Sequence, residues 1–169
     1  MALGPLKVKT MSTETEEVRK QLVDLLLKGN AHMSYAQAVK DYPLARINEK
    51  FPNGEYSAWG LLEHLRLTQN DILEFITNPK YQDKEWPKEY WPDPKTAASE
   101  SDWRQTIKLF HQDQQALVDL IQDQQTDLYA KIPHGTGQNI LKEIMVVADH
   151  NAYHIGEFGI MRQVMGTWP

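Results

Sequence analysis

The chain has 169 residues with 41% hydrophobic and 24% charged content, enough for one soluble domain with a real core. A net charge of −5, with Lys and Arg scattered among acids, excludes the clustered basic footprint that nucleic acid requires. No apolar run approaches the roughly 20 residues needed to cross a bilayer, and zero cysteines exclude disulfides, thiolate zinc sites and a Cys nucleophile. Residues 1–12 are expected to be a leader or a disordered extension. They lack the charged start, long apolar stretch and small-residue cleavage site of a secretory signal, so the expected location is the cytoplasm.

Residues 13–169 read as a single helical domain, with four segments of helical periodicity and no sustained strand alternation. The first runs from about Thr13 into the Ala31–Lys40 region on an apolar stripe of Val18, Leu22, Leu25, Leu26 and Met33. Gly29-Asn30 reads as a kink within it, and Asp41-Tyr42-Pro43 as its stop. A loop to Tyr56 follows, anchored by Leu44, Ile47 and Phe51.

Ser57 is expected to cap the second helix, because its hydroxyl can accept a free first-turn N–H. Trp59, Leu62, Leu65, Ile72, Leu73 and Ile76 mark the buried side, and Asn78-Pro79 the end. Residues 80–95 carry Pro87, Pro92 and Pro94 with Trp86, Tyr90 and Trp91. That stretch is too proline-rich for a helix and too aromatic for a tether, so it reads as an ordered loop packed across the bundle or lining a pocket. The third helix opens on Ser99 and Asp102 at capping-box spacing, with Asp where Glu or Gln is usual, and buries Trp103, Ile107, Phe110, Leu117, Leu120 and Ile121. The fourth runs from about Gln138 to Val164, with Ile144, Met145, Val147, Ala148 and Ile155 on its buried side and Gly166 as its C-terminal stop. Four long helices of similar length make a four-helix bundle the economical architecture.

Six histidines are spread along the chain. His150 and His154 are four apart within a helical segment, so they stack on one face and can grip one divalent cation. Spacing alone fits a structural pair equally well. A third ligand is needed for a tight site, and His64, mid-helix between Leu62 and Leu65, is the best placed. A buried histidine commonly just bonds a neighbouring carboxylate or carbonyl, but three buried imidazoles each carry an acceptor nitrogen that one cation satisfies at once. Three neutral ligands leave the metal its full charge and open positions, the pattern of a catalytic site; zinc fits the ligand set, with nickel, iron and manganese as alternatives.

Helical spacing places Thr68 and Asp71 on the His64 face and Glu157 one step past His154. A carboxylate there can take an imidazole's second N–H and fix its tautomer. Glu157 and Asp71 are therefore the candidate catalytic or supporting acids, with an ordinary ion pair as the competing role for Asp71. Tyr153 and Asn151 point around the helix toward packing or a dimer contact. The Trp86–Trp91 aromatics read as either a pocket wall or plain core. His32, His111 and His134 read as surface, cap or loop residues.

Leu61-Leu62-Glu63-His64-Leu65-Arg66-Leu67 with Asp71-Ile72-Leu73, and later Asp149-His150-Asn151-Ala152-Tyr153-His154-Ile155-Gly156-Glu157, resemble the two signature regions of DinB-like proteins. The ending Met161 to Pro169 is similar to that family's close, and the resemblance spans roughly Thr13 to Pro169. It implies an all-α four-helix bundle with up-down-down-up connectivity, often a homodimer, and a divalent metal held by His64, His150 and His154. It also implies a metal-dependent transferase acting on a small molecule with a low-molecular-weight thiol. A hydrolase using metal-activated water and a non-catalytic metal- or ligand-binding stress-response bundle are the alternatives. The family commonly has Gln where this chain has Glu157, which adds a carboxylate beside the site as a fourth ligand, a hydrogen-bond acceptor or a base.

Overall fold

The computed structural model describes residues 13–169, and the expectation for residues 1–12 lies outside them. Five α-helices follow one another: α1 Thr13–Leu27, α2 Tyr35–Val39, α3 Ala58–Thr77, α4 Glu100–Gln122 and α5 Ile140–Met165. A 3-10 turn, Leu44–Arg46, lies between α2 and α3. Among the described residues there is no strand, only two isolated bridges, and no helix is long and apolar enough to cross a membrane.

The first helix departs from expectation. Gly29-Asn30 ends it rather than kinking it, so four helices of similar length become four long ones and a five-residue α2. The cause is local. The Gly29 carbonyl accepts from the His32 N–H at 2.7 Å, and a Cβ at Gly29 would lie 2.0 Å from the His32 carbonyl oxygen. Asn30 takes φ 42°, which cannot continue a right-handed helix. Ser34 and Gln37 then form a reciprocal capping box that starts α2.

The other boundaries follow side-chain chemistry. Ser57 accepts from the Gly60 N–H at 3.1 Å and opens α3. Ser99 and Asp102 cap each other's backbone, so Asp serves the capping box although it is one methylene shorter than Glu. Asn139 caps α5, and Gly166, in the left-handed region at φ 62°, closes it. Arg19 on α1 donates to the carbonyls of Ile121, Asp123 and Thr126, placing a cation at the C-terminus of α4 where the helix dipole is negative.

The core has two parts. Tyr35, Leu61, Leu65, Trp103, Phe110, Ile155 and Phe158 form one, with the Tyr35 and Phe110 rings stacked at 3.8 Å. Leu22, Leu26, Ile72, Leu117, Ile121, Ile144 and Val147 form the other. Along α3, α4 and α5 a buried amide sits where one cluster gives way to the next: Gln69, Gln114 and Asn151 respectively. Gln69 donates to the Phe110 carbonyl at 2.8 Å and accepts from Asn151 at 2.9 Å, while Gln114 donates to the Leu26 carbonyl at 2.8 Å. Met145, expected in the core, is 52% exposed, and Leu25 is also exposed. Each is next to a residue that takes the inward position, Ile144 and Leu26.

Arg162 is wholly buried and ties the end of α5 to α2. Its guanidinium donates to the carbonyls of Ala38, Lys40 and Thr167, each at 2.7 Å, and lies 3.9 Å from the Trp168 ring centroid. Truncation to alanine takes the donor from three carbonyls at once, two of them in buried bonds. Arg162→Ala is expected to cost about 3 kcal/mol in chemical unfolding; a loss below about 1 kcal/mol would mean that water fills the space and replaces the donor.

Candidate metal centre

The helices α3 and α5 pack side by side, and each brings part of one cluster. The single turn between His150 and His154 stacks their rings, with centroids 4.5 Å apart. His64 comes from the facing helix, its ring 5.0 Å from His150 and 4.8 Å from His154. One ligand-capable atom from each lies within 4.8 Å of the others, and the Nε2 atoms of His64 and His150 are 3.2 Å apart. Two zinc–nitrogen bonds of about 2.0–2.1 Å at a tetrahedral angle hold their nitrogens roughly 3.3 Å apart, so this spacing fits a shared ion. His64 is buried whereas His150 and His154 are partly exposed, so the cluster is closed from beneath and reachable from solvent.

The back of the cluster is organised as well. The His64 Nδ1–H donates to the backbone carbonyl of Tyr90 at 2.7 Å, and the His154 Nδ1–H donates to Glu157 Oε2 at 2.7 Å. A carbonyl or carboxylate can only accept there, so each ring keeps its proton on Nδ1 and turns a lone pair on Nε2 toward the common point. Burial holds the imidazoles neutral. His154 is pulled down to about 3 by burial, then by His150 and His64, and His150 to about 4 by burial, then by His64. His64 is lowered by burial against the opposing pull of the Tyr90 carbonyl. The His154–Glu157 contact is therefore a hydrogen bond from a neutral ring, not an ion pair. Burial also raises the Glu157 carboxyl. Three neutral imidazoles, two with their lone pairs oriented from behind, suit a divalent ion, and no net charge has to be shed first.

Sequence reasoning placed these residues unevenly. Glu157 sits where its spacing predicts, against the Nδ1 of His154. Asp71 does not: it shares the α3 face with His64, but that ring's N–H is taken by the Tyr90 carbonyl. Asp71 is buried and accepts from the Tyr90 hydroxyl at 2.6 Å and the Tyr81 hydroxyl at 3.1 Å, with Lys84 Nζ at 3.3 Å. Burial and then Asp71 push the Tyr81 hydroxyl up to about 12, and the Tyr90 hydroxyl is raised further, so both stay protonated donors. No hydrogen bond reaches the Thr68 hydroxyl. Asn151 turns inward to Gln69, and Tyr153 is 70% exposed with its ring edge-on to His154. His32 bonds the Met33 carbonyl, His111 packs edge-on against Tyr35, and His134 bonds the Phe75 carbonyl; none joins the cluster.

Tyr90 and Trp91 were not singled out by spacing, because they lie in the loop and not on a helix face. Their only signal was the aromatic and proline content of residues 80–95. Trp91 stacks flat on His64, 3.9 Å between centroids and 2° between planes, and also stacks on Tyr56 at 5.0 Å. With Tyr56, Trp59, Pro94 and the lysines Lys50 and Lys95, it lines a cleft of about 850 Å³. Trp86 is exposed, its ring 6.4 Å from His64. Of the two readings for these aromatics, a wall beside the site fits better than plain core.

The family model of the DinB superfamily matches residues 30–158. That span holds His64, His150, His154 and Glu157; α1 and the last residues fall outside it. No curated protein and no solved structure matches the chain.

Depressed histidine pKa values set the sign of a pH effect. Below the ordinary value of 6.5 the unfolded chain binds protons that His150 and His154 refuse until about 4 and 3. Stability of the metal-free protein therefore falls as pH drops from about 6.5 toward 4, and this contribution levels off above 7. The raised carboxyls of Asp113, Glu143 and Glu157 oppose the fall, but the shifts of His150 and His154 are the larger ones and set the sign. Urea midpoints measured in chelator from pH 7.5 to 4.5 should decline, and less steeply in His154→Gln. A wild-type midpoint that holds or rises on acidification would contradict the buried, neutral cluster.

Proposed function

The chain belongs to the DinB superfamily, and on that premise we propose that it is a cytoplasmic, divalent-metal-dependent transferase. It would join a low-molecular-weight thiol to a small-molecule electrophile, with zinc or nickel as the metal. The observation that carries this reading is the convergence of three neutral imidazoles, two of them hydrogen-bonded from behind, on a point open to solvent on one side. A divalent ion held there brings the pKa of a bound thiol or water toward neutrality.

The chain's own residues supply the rest. Tyr90 and Glu157 hold the rings of His64 and His154 in place. Glu157 bonds His154 through one oxygen, is partly exposed and has a raised affinity for protons, so it is the residue we assign to accept the thiol proton. Sulfur then bonds to the electrophilic carbon, and the leaving group departs with its electron pair. The Trp91 cleft is lined by Lys50, Lys88 and Lys95 against Glu55 and Asp93, so it offers aromatic surface and a small excess of positive charge to an anionic cosubstrate.

The four long helices support the up-down-down-up order. Successive core residues of α3 and α4 pass from the Tyr35–Phe110 cluster to the Leu22–Ile144 cluster, while those of α5 pass back. The same helix supports a homodimer. Met145, Tyr153, Ile160 and Val164 are each at least half exposed on one stripe of α5, an apolar surface of the kind that a second copy covers.

Protein purified without a metal-affinity step should carry close to one divalent ion per chain by elemental analysis, and His150→Ala should carry almost none. The loaded protein should turn over thiols with electrophiles, and Glu157→Gln should lower kcat by about 10²-fold or more. Hydrolysis of esters or amides without a thiol would replace transfer by water attack, and metal without turnover of either panel would leave a binding bundle. For the dimer, light scattering should give twice the chain mass, and Ile160→Glu should give one; a monomeric wild type would end that part of the reading.

A further inference from the structure

The loop of residues 80–95 touches the metal centre and the floor of α3 at once, through adjacent residues. Asp71 lies seven residues after His64, two turns or roughly 10 Å along the same helix face. Tyr90 spans that interval. Its hydroxyl donates to Asp71 Oδ2 at 2.6 Å, and its backbone carbonyl accepts the His64 Nδ1–H at 2.7 Å. The next residue, Trp91, covers the His64 ring face to face at 3.9 Å. His64 is thus gripped in its plane by a carbonyl and across its face by an indole, both from the loop.

The anchor is built for permanence. Asp71 is only 6% exposed, and its carboxylate is met by two phenols and Lys84. A buried carboxylate that accepts three donors resists losing any of them, because the stranded charge is costly. Neither His150 nor His154 is hydrogen-bonded by the loop: His154 is backed by Glu157 on its own helix and meets Trp91 only edge-on, at 6.4 Å between centroids. Of the three rings, only His64 has a hydrogen bond, among the described residues, from a segment that is neither α3 nor α5.

We propose that Tyr90 is a positioning residue for the metal centre: anchored on Asp71, it sets the tautomer and tilt of His64, so that loop 80–95 controls metal affinity. The idea rests on the metal-centre reading above. It assigns Asp71 a role through Tyr90 rather than at the reacting atoms. It also makes the cleft walled by Trp91 a place from which an occupant acts on His64.

The test is Tyr90→Phe, which removes the hydroxyl anchor and keeps the carbonyl, beside Tyr81→Phe, which costs Asp71 a hydrogen bond from the same loop and keeps the Tyr90 hydroxyl that bonds Asp71. Zinc chloride is titrated against a chromophoric chelator, and the His64 tautomer is read in metal-free protein by long-range proton–nitrogen NMR. Tyr90→Phe should weaken zinc binding by about 10- to 100-fold and mix the His64 tautomers, while Tyr81→Phe should stay within about threefold with a single tautomer. Equal weakening by both variants would reduce the loop to a general staple and overturn the proposal. So would zinc affinity and a tautomer unchanged in Tyr90→Phe. A wild type that binds no zinc, nickel or manganese would remove the metal centre itself, a failure distinct from a wild type that binds and a Tyr90→Phe that binds equally well.

Discussion

Three imidazoles packed within about one ring's width of each other are the constraint around which the rest of the molecule is arranged. Each ring brings a donor and an acceptor into partly desolvated surroundings that disfavour its protonation. Such a cluster persists only if the outward nitrogens are satisfied from behind. The Tyr90 carbonyl and the Glu157 carboxylate do that for His64 and His154, and both leave the inward nitrogens unprotonated. Electrostatically the cluster is a set of lone pairs pointing at one place, which suits a cation far better than it suits a proton.

Holding that point still requires register between two helices. The Asn151–Gln69 hydrogen bond crosses the same α3–α5 interface, next to His150 on one side and five residues from His64 on the other. Gln69 is itself held by the Phe110 carbonyl of α4. A slip of one helical turn, about 5.4 Å, would break this chain of amides and pull the rings apart together. Apolar clusters above and below supply cohesion, but Leu and Ile tolerate sliding; buried amides do not. The polar seam therefore sets the geometry that the apolar core merely stabilises.

Two kinds of support meet at the site, and they differ in how easily they move. Glu157 backs His154 within one continuous helix, so the pair is rigid by construction. His64 is backed by a proline- and aromatic-rich loop whose position depends on the buried Asp71 carboxylate. Half of the ligand orientation is thus intrahelical and half tertiary. The loop's other side faces the cleft, which joins the two features without any further element.

Much of this was legible in the chain itself. The pair His150 and His154, the Glu157 beside it, and the caps Ser57, Ser99 and Gly166 follow from helical spacing and local hydrogen-bonding chemistry, which act within a few residues and leave a pattern in the sequence. The third histidine of the cluster was legible too, because a histidine amid Leu61, Leu62 and Leu65 demands a partner. The exposure of Met145 and the break at Gly29 were not: each depends on which of two adjacent apolar residues turns inward, or on one close backbone contact. Asp71 shows the limit most clearly. Helical spacing put it on the His64 face, yet only the folded loop, bringing Tyr81, Lys84 and Tyr90 across 10 to 19 positions of sequence, decided what it holds. Local periodicity dictates which face a side chain occupies; what it meets there is chosen by distant segments that carry no matching period.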